Sequence, residues 1–544
     1  MKNKRSKIII IILSGILLVA SLSAIGYAIK NSQLIKTNKN NTGNTLGSIF
    51  YPPKIKETKI YFVGDIMLDR GVLGSVNKNF NGNFSELFKN VPELKSADIL
   101  FGNLEGPISD AGNNVGSKYS FRMNPSVLPT LKEVGFNVFS FANNHVGDWN
   151  VKAFNDTLSR LKENNISVTG AGIDKNEASL PSIIEKNGIR FGFLGFSDVG
   201  PNWMEAKENK AGILLASDPD FSKIITTAKE NSDVLIVSIH FGEEYEKIHN
   251  KKQEKIARTA IDSGADMVVG HHPHVIQDIE YYNGKPIIYS LGNFMFDQYF
   301  SKETMRGMII MATFQNKELK ELKSLISIQN KKYQIEGLFD EDKIKDIEEV
   351  LYSNCPKPNK DYSDMSLLNI GQKISLPDIS YIPKNLVELG NLSTNKNFCL
   401  VQEAKKALES MINEALGKNL KIKATSAFRD YSSQENLYKN ILLYDKNGEK
   451  AVAKPGHSEH QLGTTIDLSG ETIEYTSAKT SFDNTPEELW LRENAHRFGF
   501  IMSYPYLKED ITGYKYEPWH YRYVGIDLAK KIKDSGLTLT EYLK

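Results

Sequence analysis

Apolar positions along this chain fall into three regimes. The first is an unbroken run from Ile8 to Ala28 that carries no charge and follows the basic stretch MKNKRSK. About 20 apolar residues suffice to span a bilayer, and flanking positive charge stays in the cytoplasm. The pattern predicts a signal anchor over residues 1–30, so that the protein is single-pass in the cell membrane with its bulk extracytoplasmic. Gly26-Tyr27-Ala28 is only a fair cleavage site, and no cysteine follows for a lipid anchor. Residues 31–57 are rich in Asn, Thr, Lys, Gly and Ser, too polar to build a core, and read as a flexible linker.

In the second regime, from Lys59 to Phe314, short β-branched and aromatic runs alternate with helical stretches, the signature of an α/β layered sheet domain. Charged strand-like pieces (LKSLISIQ, KYQIEGL) and a helix from about Glu341 to Tyr352 extend this domain to residues 58–352. Its apolar runs end on ligand-type side chains: Asp65; Asn103 and Glu105; Asn144 and His145; His240 and Glu243; His272 and His274; Asn293 and Asp297. Groups at the carboxyl ends of strands in such sheets converge on one crevice. One histidine there is usually an ordinary satisfied side chain. His240, His271, His272 and His274 beside carboxylates at successive strand ends instead predict a divalent metal site for Mn, Zn or Fe, mononuclear or binuclear.

The third regime follows SNCPKPNKDYSD, a polar, proline-rich boundary assigned to residues 353–366. Residues 367–544 read as a smaller α+β domain. An amphipathic helix is predicted from about Phe398 to Leu416, with Val401, Ala404, Leu408, Met411, Ile412 and Ala415 on its buried stripe. The strand LKIKATSAFR presents Ser426 and Arg429 at its end, before a helix carrying Gln434. Thr485 and Pro486 open a further helix, leading into a strand at GFIMSY.

Two short stretches of this domain carry chemistry. PGHSEHQLGTTID holds His460 and Asp467 as H-x6-D, and YEPWHYRYVG holds Glu517 and His520 as E-x-x-H. Each spacing is common by chance. Together they supply two His, one Asp and an unligated Glu, the parts of a catalytic zinc centre with an open position. Arg429 would add the fixed cation that a carbonyl oxygen needs as it becomes anionic. His457 is the competing ligand and ranks below His460.

Composition narrows the partners. The 67 Lys plus Arg balance 66 Asp plus Glu, a net charge of +1, so no basic field points to nucleic acid. Cys355 and Cys399 are the only cysteines. They exclude a cysteine-rich zinc module and leave open one disulfide or two thiols.

Both domains carry family resemblances. GD-I-M, GNLEGP, NNH-x-x-D, H-F-G-E, GHHPHV and SLGNF-x-FD, in that order from Lys59 to Ile335, resemble the motifs of the CapA family of capsule or poly-γ-glutamate synthesis proteins, which have a calcineurin-like metallophosphoesterase fold. The resemblance implies metal ligands at Asp65, Glu105, Asn144, His240, His272 and His274, with His145 facing the transferred group, and an anionic wall or capsule polymer such as poly-γ-glutamate as partner. Met67 departs from the wider phosphoesterase pattern, which has His there, and this removes a ligand from a first metal.

SAFRDYSSQ, PGHSEHQLGTTIDL and YEPWHYRYVG are similar to VanY-type D-alanyl-D-alanine carboxypeptidases, zinc peptidases acting on peptidoglycan stem peptides. The resemblance implies zinc on His460, Asp467 and His520, and Glu517 as base and acid. It also implies Arg429 on the oxyanion, with Ser426, Gln434 and Ser458 helping to hold substrate. Thr465 replaces a frequent Ala, and Ser503 stands where a basic residue often follows GFI, a change expected to weaken contact with an acidic stem peptide. The combined expectation is a membrane-tethered enzyme of a Gram-positive-type envelope that trims D-alanine. The alternative is a zinc dipeptidase or endopeptidase whose CapA-like domain is a non-catalytic polymer-binding scaffold.

Overall fold

Strand Glu57–Ile66 is buried along nearly its whole length, which requires a sheet covered on both faces. The computed structural model describes residues 56–361, 363–444 and 450–543. The predicted signal anchor and nearly all of the predicted linker lie outside the described residues. Among those described, no helix is long and apolar enough to cross a membrane.

Glu57–Ile66 lies inside an 8-stranded mixed sheet. It runs parallel to Ile99–Leu104 and Asn293–Met295 and antiparallel to Arg306–Gln315. A 6-stranded sheet, with Ile189–Ser197, Val234–His240 and Met267–His271 parallel at its centre, stacks on the first. Ile60, Phe62, Phe101 and Val138 of one sheet meet Phe191, Phe193, Ile236 and Val269 of the other in a continuous core. Each such buried side chain contributes roughly 1.5–3 kcal/mol. The outer face of the first sheet packs on helices Arg70–Phe80 and Asn150–Glu163 through Val72, Val76, Phe154 and Leu161. That of the second packs on Phe221–Glu230 and Lys251–Asp262. The layers therefore run helix, sheet, sheet, helix, as the α/β pattern predicts.

Register positions the strand ends. Asp65 lies opposite both Asn293 and Asn103 in the first sheet. In the second, Ser197, His240 and His271 stand side by side. Two rows of polar groups thus face one another at the carboxyl edge of the stacked sheets. Gly64 permits the first row, because a Cβ there would lie 1.9 Å from the carbonyl oxygen of Gly292.

The second domain is built on a 4-stranded antiparallel sheet in the order Ile422–Ser426, Thr465–Gly470, His520–Tyr523, Phe500–Met502. Its apolar face, with Ile422, Ala424, Ile466, Leu468, Phe500 and Tyr521, packs on Ala404, Leu408, Met411 and Ala415 of helix Gln402–Leu416. That helix begins later than the predicted Phe398. Cys399–Val401 forms a strand paired with Leu386–Glu388, so Val401 belongs to the strand and not to the helical stripe. The β-branched end of this segment and the disulfide of Cys399 outweigh its helical periodicity. Helix Pro486–Asn494 begins as predicted, with the Thr485 side chain accepting from the Glu488 N–H.

The two domains meet across the helix predicted at Glu341–Tyr352, which is a single 3-10 turn, Glu341–Lys343, followed by α-helix Ile344–Tyr352. Ile344, Ile347 and Leu351 enter the inter-sheet core of the first domain. On its other side Glu349 accepts hydrogen bonds from Gln402 at 2.9 Å and Lys405 at 2.5 Å, and Lys406 binds Asp346. The segment 353–366 is pinned beside this contact. Cys355 is disulfide-bonded to Cys399, 44 residues away, with a Cα separation of 6.0 Å, and both are buried against Leu386.

A cross-link over that separation removes chain entropy equivalent to about 4 kcal/mol from the unfolded state. The double variant Cys355→Ser/Cys399→Ser should therefore unfold at lower temperature in calorimetry. Dithiothreitol should lower the Tm of the parent and leave that of the variant unchanged; equal parent and variant Tm values would show that the bond adds no stability.

Candidate metal centres

In the second domain, cross-strand register assembles the site. Asp467 pairs with Ser426 on one neighbouring strand and with His520 on the other, placing the three side by side on the face opposite the apolar core. Ser426 reaches that face because the ladder is irregular between Ala424 and Ser426, a bulge that re-aims a side chain. His460 arrives from the turn Glu459–Leu462, headed by the buried Ser458 and closed by Gly463 at φ +71°. His460 Nε2 lies 3.4 Å from Asp467 Oδ2, and His520 Nδ1 lies 3.2 Å from Asp467 Oδ1. Glu517 Oε2 is 3.4 Å from the same His520 nitrogen.

The remaining ring nitrogens are committed elsewhere, which sets how each histidine presents itself. His460 Nδ1 donates to the Ala427 carbonyl at 2.7 Å, leaving Nε2 free to face Asp467. His520 Nε2 is 3.1 Å from Glu459 Oε2, leaving Nδ1 for the centre. Glu459 is in turn held by Arg522 at 2.8 Å and by the Ser503 hydroxyl at 2.6 Å. Burial disfavours the Glu459 charge, but Arg522 and His520 outweigh it and hold the carboxyl down at about 2. Burial also opposes the charge on Asp467, yet His460 and His520 keep it far below the usual carboxylate range. Glu517 goes the other way: burial pushes it up to about 7, aided by Asp467 and Glu459 and opposed by His520 and Arg429.

Arg429 is positioned by two residues predicted to hold substrate. Its Nη1 donates to Gln434 Oε1 at 2.8 Å and its Nη2 to Ser426 Oγ at 3.0 Å. The Gln434 amide nitrogen donates to the Ala453 carbonyl at 2.6 Å, so Gln434 is committed at both ends to orienting the guanidinium. Burial lowers the pKa of Arg429, and the nearby charges of Asp467 and Glu517 work against that.

These side chains fit zinc. Ligand atoms of His460, Asp467 and His520 lie within 4.8 Å of one another, all buried, and Asp467 Oδ1 has no hydrogen-bond partner. Separations of 3.2 and 3.4 Å are those expected between ligands ~2.0–2.2 Å from a tetrahedral ion. His457 does not compete: it is not among the residues whose ligand atoms converge with Asp467, and its Nδ1 donates to the Gly371 carbonyl at 2.7 Å.

The first-domain crevice holds a larger polar cluster. Asp65 accepts from Asn103 at 2.8 Å and is within 3.3 Å of His271 Nδ1 and 3.4 Å of His274 Nδ1. Burial opposes the charge of Asp65, but the hydrogen bonds from His271 and His274 outweigh it and keep the carboxyl ionised. His274 Nε2 is 3.6 Å from Glu105, and burial of that imidazole is overcome by Glu105 and Asp65, which raise it to about 9. Glu105 is fully buried with no hydrogen-bond partner on either oxygen, and burial raises its pKa well above normal. A buried carboxylate with two idle oxygens beside Asp65 and His274 suits a divalent cation. Ligand atoms of Asp65, Glu105 and His274 converge within 4.8 Å, as do those of Glu244, His272 and His274. Asn144 and His240 instead engage one another at 2.8 Å, and His145 is bound to Asp148 at 2.8 Å with its other nitrogen 3.8 Å from Glu105. Met67 lies in an apolar pocket with Phe121 and Phe296. Asp297 pairs with Arg70 rather than joining the cluster.

Sequence reasoning assigned no role to Glu459 or Arg522, and the ligand set implied by the resemblance does not include Glu244, whose carboxylate converges with His272 and His274. Strand alternation could have found Arg522, which shares a face with His520 two residues earlier. The expectation for Ser503 is corrected: it is buried and bonded to Glu459, behind the histidine, so it takes no part in a rim that meets an acidic peptide.

Comparison with known proteins assigns both domains. Residues 59–298 match the family described as bacterial capsule synthesis protein PGA_cap, and residues 397–526 match the D-alanyl-D-alanine carboxypeptidase family VanY. The PGA biosynthesis protein CapA of Bacillus subtilis (strain 168) is 37% identical over 241 residues, covering 44% of this chain and 63% of that protein. A D-alanyl-D-alanine carboxypeptidase of Enterococcus faecalis (strain ATCC 700802 / V583) is 50% identical over 95 residues, 18% of this chain and 33% of that protein. A crystal structure of a mutant of the vancomycin resistance D,D-pentapeptidase VanY in complex with Zn(II) is 32% identical, covers 33% of this chain and 99% of that one, and has a TM-score of 0.29. The chain spans about three fifths of the length of the capsule-synthesis relatives it matches. It thus carries a PGA_cap (CapA) domain in its amino-terminal part and a VanY-type domain in its carboxy-terminal part.

If Glu459 orients His520 for a metal, Glu459→Gln should weaken zinc affinity roughly 10–100-fold in competition with a chelator, with the fold intact by circular dichroism. Unchanged affinity would assign Glu459 to packing alone.

Proposed function

We propose that the carboxy-terminal domain is a zinc-dependent carboxypeptidase that removes the terminal D-alanine from peptidoglycan stem peptides. The observation that carries this reading is the convergence of His460 Nε2, Asp467 and His520 Nδ1 on one point with the unligated Glu517 beside it. The VanY match over the same segment supports the substrate class.

Zinc supplies Lewis acidity at this point, lowering the pKa of water toward ~7 and polarising a carbonyl. The chain's own groups do the rest. Glu517, largely buried and raised by that burial, removes the proton of the attacking water and delivers it to the nitrogen of the departing D-alanine. Its backbone is fixed by a hydrogen bond from its N–H to the Tyr504 carbonyl at 3.1 Å. Arg429, clamped by Ser426 and Gln434, donates to the scissile carbonyl oxygen as negative charge develops there. No covalent intermediate is required. Ser458, buried at the head of the His460 turn, would help hold the peptide as the VanY resemblance implies.

For the amino-terminal domain we read a metal-dependent crevice that handles an envelope polymer. Its helix–sheet–sheet–helix layering and strand-end cluster are what a metallophosphoesterase-like fold would present. The partnerless oxygens of Glu105 support the metal, and Met67, sealed among phenylalanines where a ligand would be needed, favours polymer holding over phosphoester hydrolysis. The Cys355–Cys399 bond supports an extracytoplasmic location, consistent with the apolar run near the amino terminus acting as a tether.

Zinc-loaded protein should release free D-alanine from a stem pentapeptide, detected by a D-amino-acid oxidase assay. Release of D-alanyl-D-alanine or of an internal fragment would instead assign a dipeptidase or endopeptidase. Glu517→Gln should lower kcat by about 10²–10⁴ with as much zinc bound as in the parent, and an unchanged rate would refute the proton-transfer role.

A further inference from the structure

Strand Cys399–Val401 lies outside the catalytic sheet, yet two of the segments that carry the chemistry are fastened to it. At one end the Cys399 carbonyl accepts the Phe428 N–H at 2.8 Å. Phe428 stands between Ala427, whose carbonyl accepts from His460 Nδ1 at 2.7 Å, and Arg429. At the other end the Val401 N–H donates at 2.9 Å to the carbonyl of Gly463, the glycine that closes the His460 turn. The two segments are also joined to each other, since the Arg429 N–H donates to the His460 carbonyl at 3.3 Å. One short strand thus holds the backbone beside the oxyanion cation and beside a zinc-facing histidine.

By itself this strand is a weak foundation. It pairs only with Leu386–Glu388, three residues against three, and a two-stranded ribbon is marginal in water without further support. Leu400 enters the core under the catalytic sheet. The Cys399 end rests instead on a small separate cluster of Cys355, Leu386 and Cys399, with Ile382, Val401 and the Phe428 ring against it. The disulfide is the centre of that cluster. Cys355 follows closely on helix Ile344–Tyr352, whose apolar face is sunk in the inter-sheet core of the first domain. The bond therefore ties the ribbon, and through it Phe428 and Gly463, to an element anchored in a far larger core.

We propose that the Cys355–Cys399 disulfide positions the carboxypeptidase site, fixing the ribbon from which Arg429 and the His460 turn take their places. The inference rests on the zinc-peptidase reading and adds to it a positioning pair that touches neither substrate nor metal. The bond acts by staying closed, and no redox step is involved. Arg429 is needed as charge develops on the carbonyl oxygen, so its displacement lowers kcat and kcat/KM together.

The test uses the full chain, loaded with zinc for turnover and with cobalt for spectroscopy, at a temperature where each variant is folded by circular dichroism. Cys355→Ser/Cys399→Ser should lower kcat for D-alanine release about 10–100-fold with KM little changed, and should shift the visible absorption of bound cobalt, which reports the geometry of its ligands. Phe428→Ala, which keeps the disulfide and removes the ring resting on it, should do the same in smaller measure, and Phe428→Leu should restore most of the rate. Leu539→Ala, a truncation in the separate cluster near the carboxy terminus, should lower the Tm and leave kcat and the cobalt spectrum as in the parent. A parent-like kcat or a parent-like cobalt spectrum in the cysteine variant would overturn the proposal; should that variant fail to fold, Phe428→Ala decides by the same two readings. An equal loss of kcat in Leu539→Ala would also overturn it, by making the effect one of stability alone. A parent that releases no D-alanine would sink the zinc-peptidase reading separately, and the cobalt spectra would then decide the positioning role, a shift supporting it and an unchanged spectrum overturning it.

Discussion

Glu459, buried and held ionised beside the Arg522 guanidinium, is the constraint on which the second domain depends. Arg522 neutralises it from one side, His520 Nε2 donates to it from the other, and the Ser503 hydroxyl completes its hydrogen bonds. Removing one partner of such a buried pair typically costs about 3–5 kcal/mol, so the arrangement is held firmly. Its consequence is directional. With Nε2 of His520 taken, only Nδ1 can face Asp467 and Glu517. Arg522 also donates to the carbonyls of Ser366 and Leu368, so the start of the domain is fastened to the back of the same histidine. A single charge network thereby links domain closure to ligand geometry.

The first domain solves the same problem through strand ends. Parallel strands place Asp65, Asn103 and Asn293 in one row and Ser197, His240 and His271 in another, and the stacking of two sheets brings the rows together. The result contains more ligand-type groups than one ion needs. Some of these groups contact one another directly: His240 and Asn144 lie 2.8 Å apart, and His145 lies 2.8 Å from Asp148. Glu105 stays unsatisfied on both oxygens, as do His271 and Nδ1 of His272, and a carboxylate that is buried and unpartnered is what distinguishes a receptive site from a finished polar core. Between the domains, helix Ile344–Tyr352 gives its apolar face to one and its acids to the other, which lets a short polar segment behave as a fixed joint.

Much of this was legible in the sequence because it follows local rules. Apolar runs ending in Asp65, Glu105 and His274 could be read from strand period and position, and Thr485-Pro486 announced its helix. H-x6-D and E-x-x-H gave His460, Asp467, Glu517 and His520, which the sheet register brings together. The remainder depended on contacts that no local pattern encodes. Gln434 reads as a helical surface amide, yet its hydrogen bonds make it the clamp of Arg429. Ser503 reads as a missing cation, and only the fold places it behind His520. The segment Cys399–Val401 fits a helical stripe and is pulled into a strand by a partner and a disulfide distant in sequence. Bulges, as between Ala424 and Ser426, re-aim side chains against the simple alternation.

The central claim is that His460, Asp467 and His520 form one zinc site whose orientation Glu459 dictates. Anomalous diffraction at the zinc absorption edge on crystals of the zinc-loaded protein tests it most directly. The account predicts a single strong peak in this domain, coordinated by His460 Nε2, Asp467 and His520 Nδ1, with Glu459 still bonded to His520 Nε2 and Glu517 outside the ligand set. A peak on His457, coordination through His520 Nε2, or Glu517 serving as a ligand would contradict it.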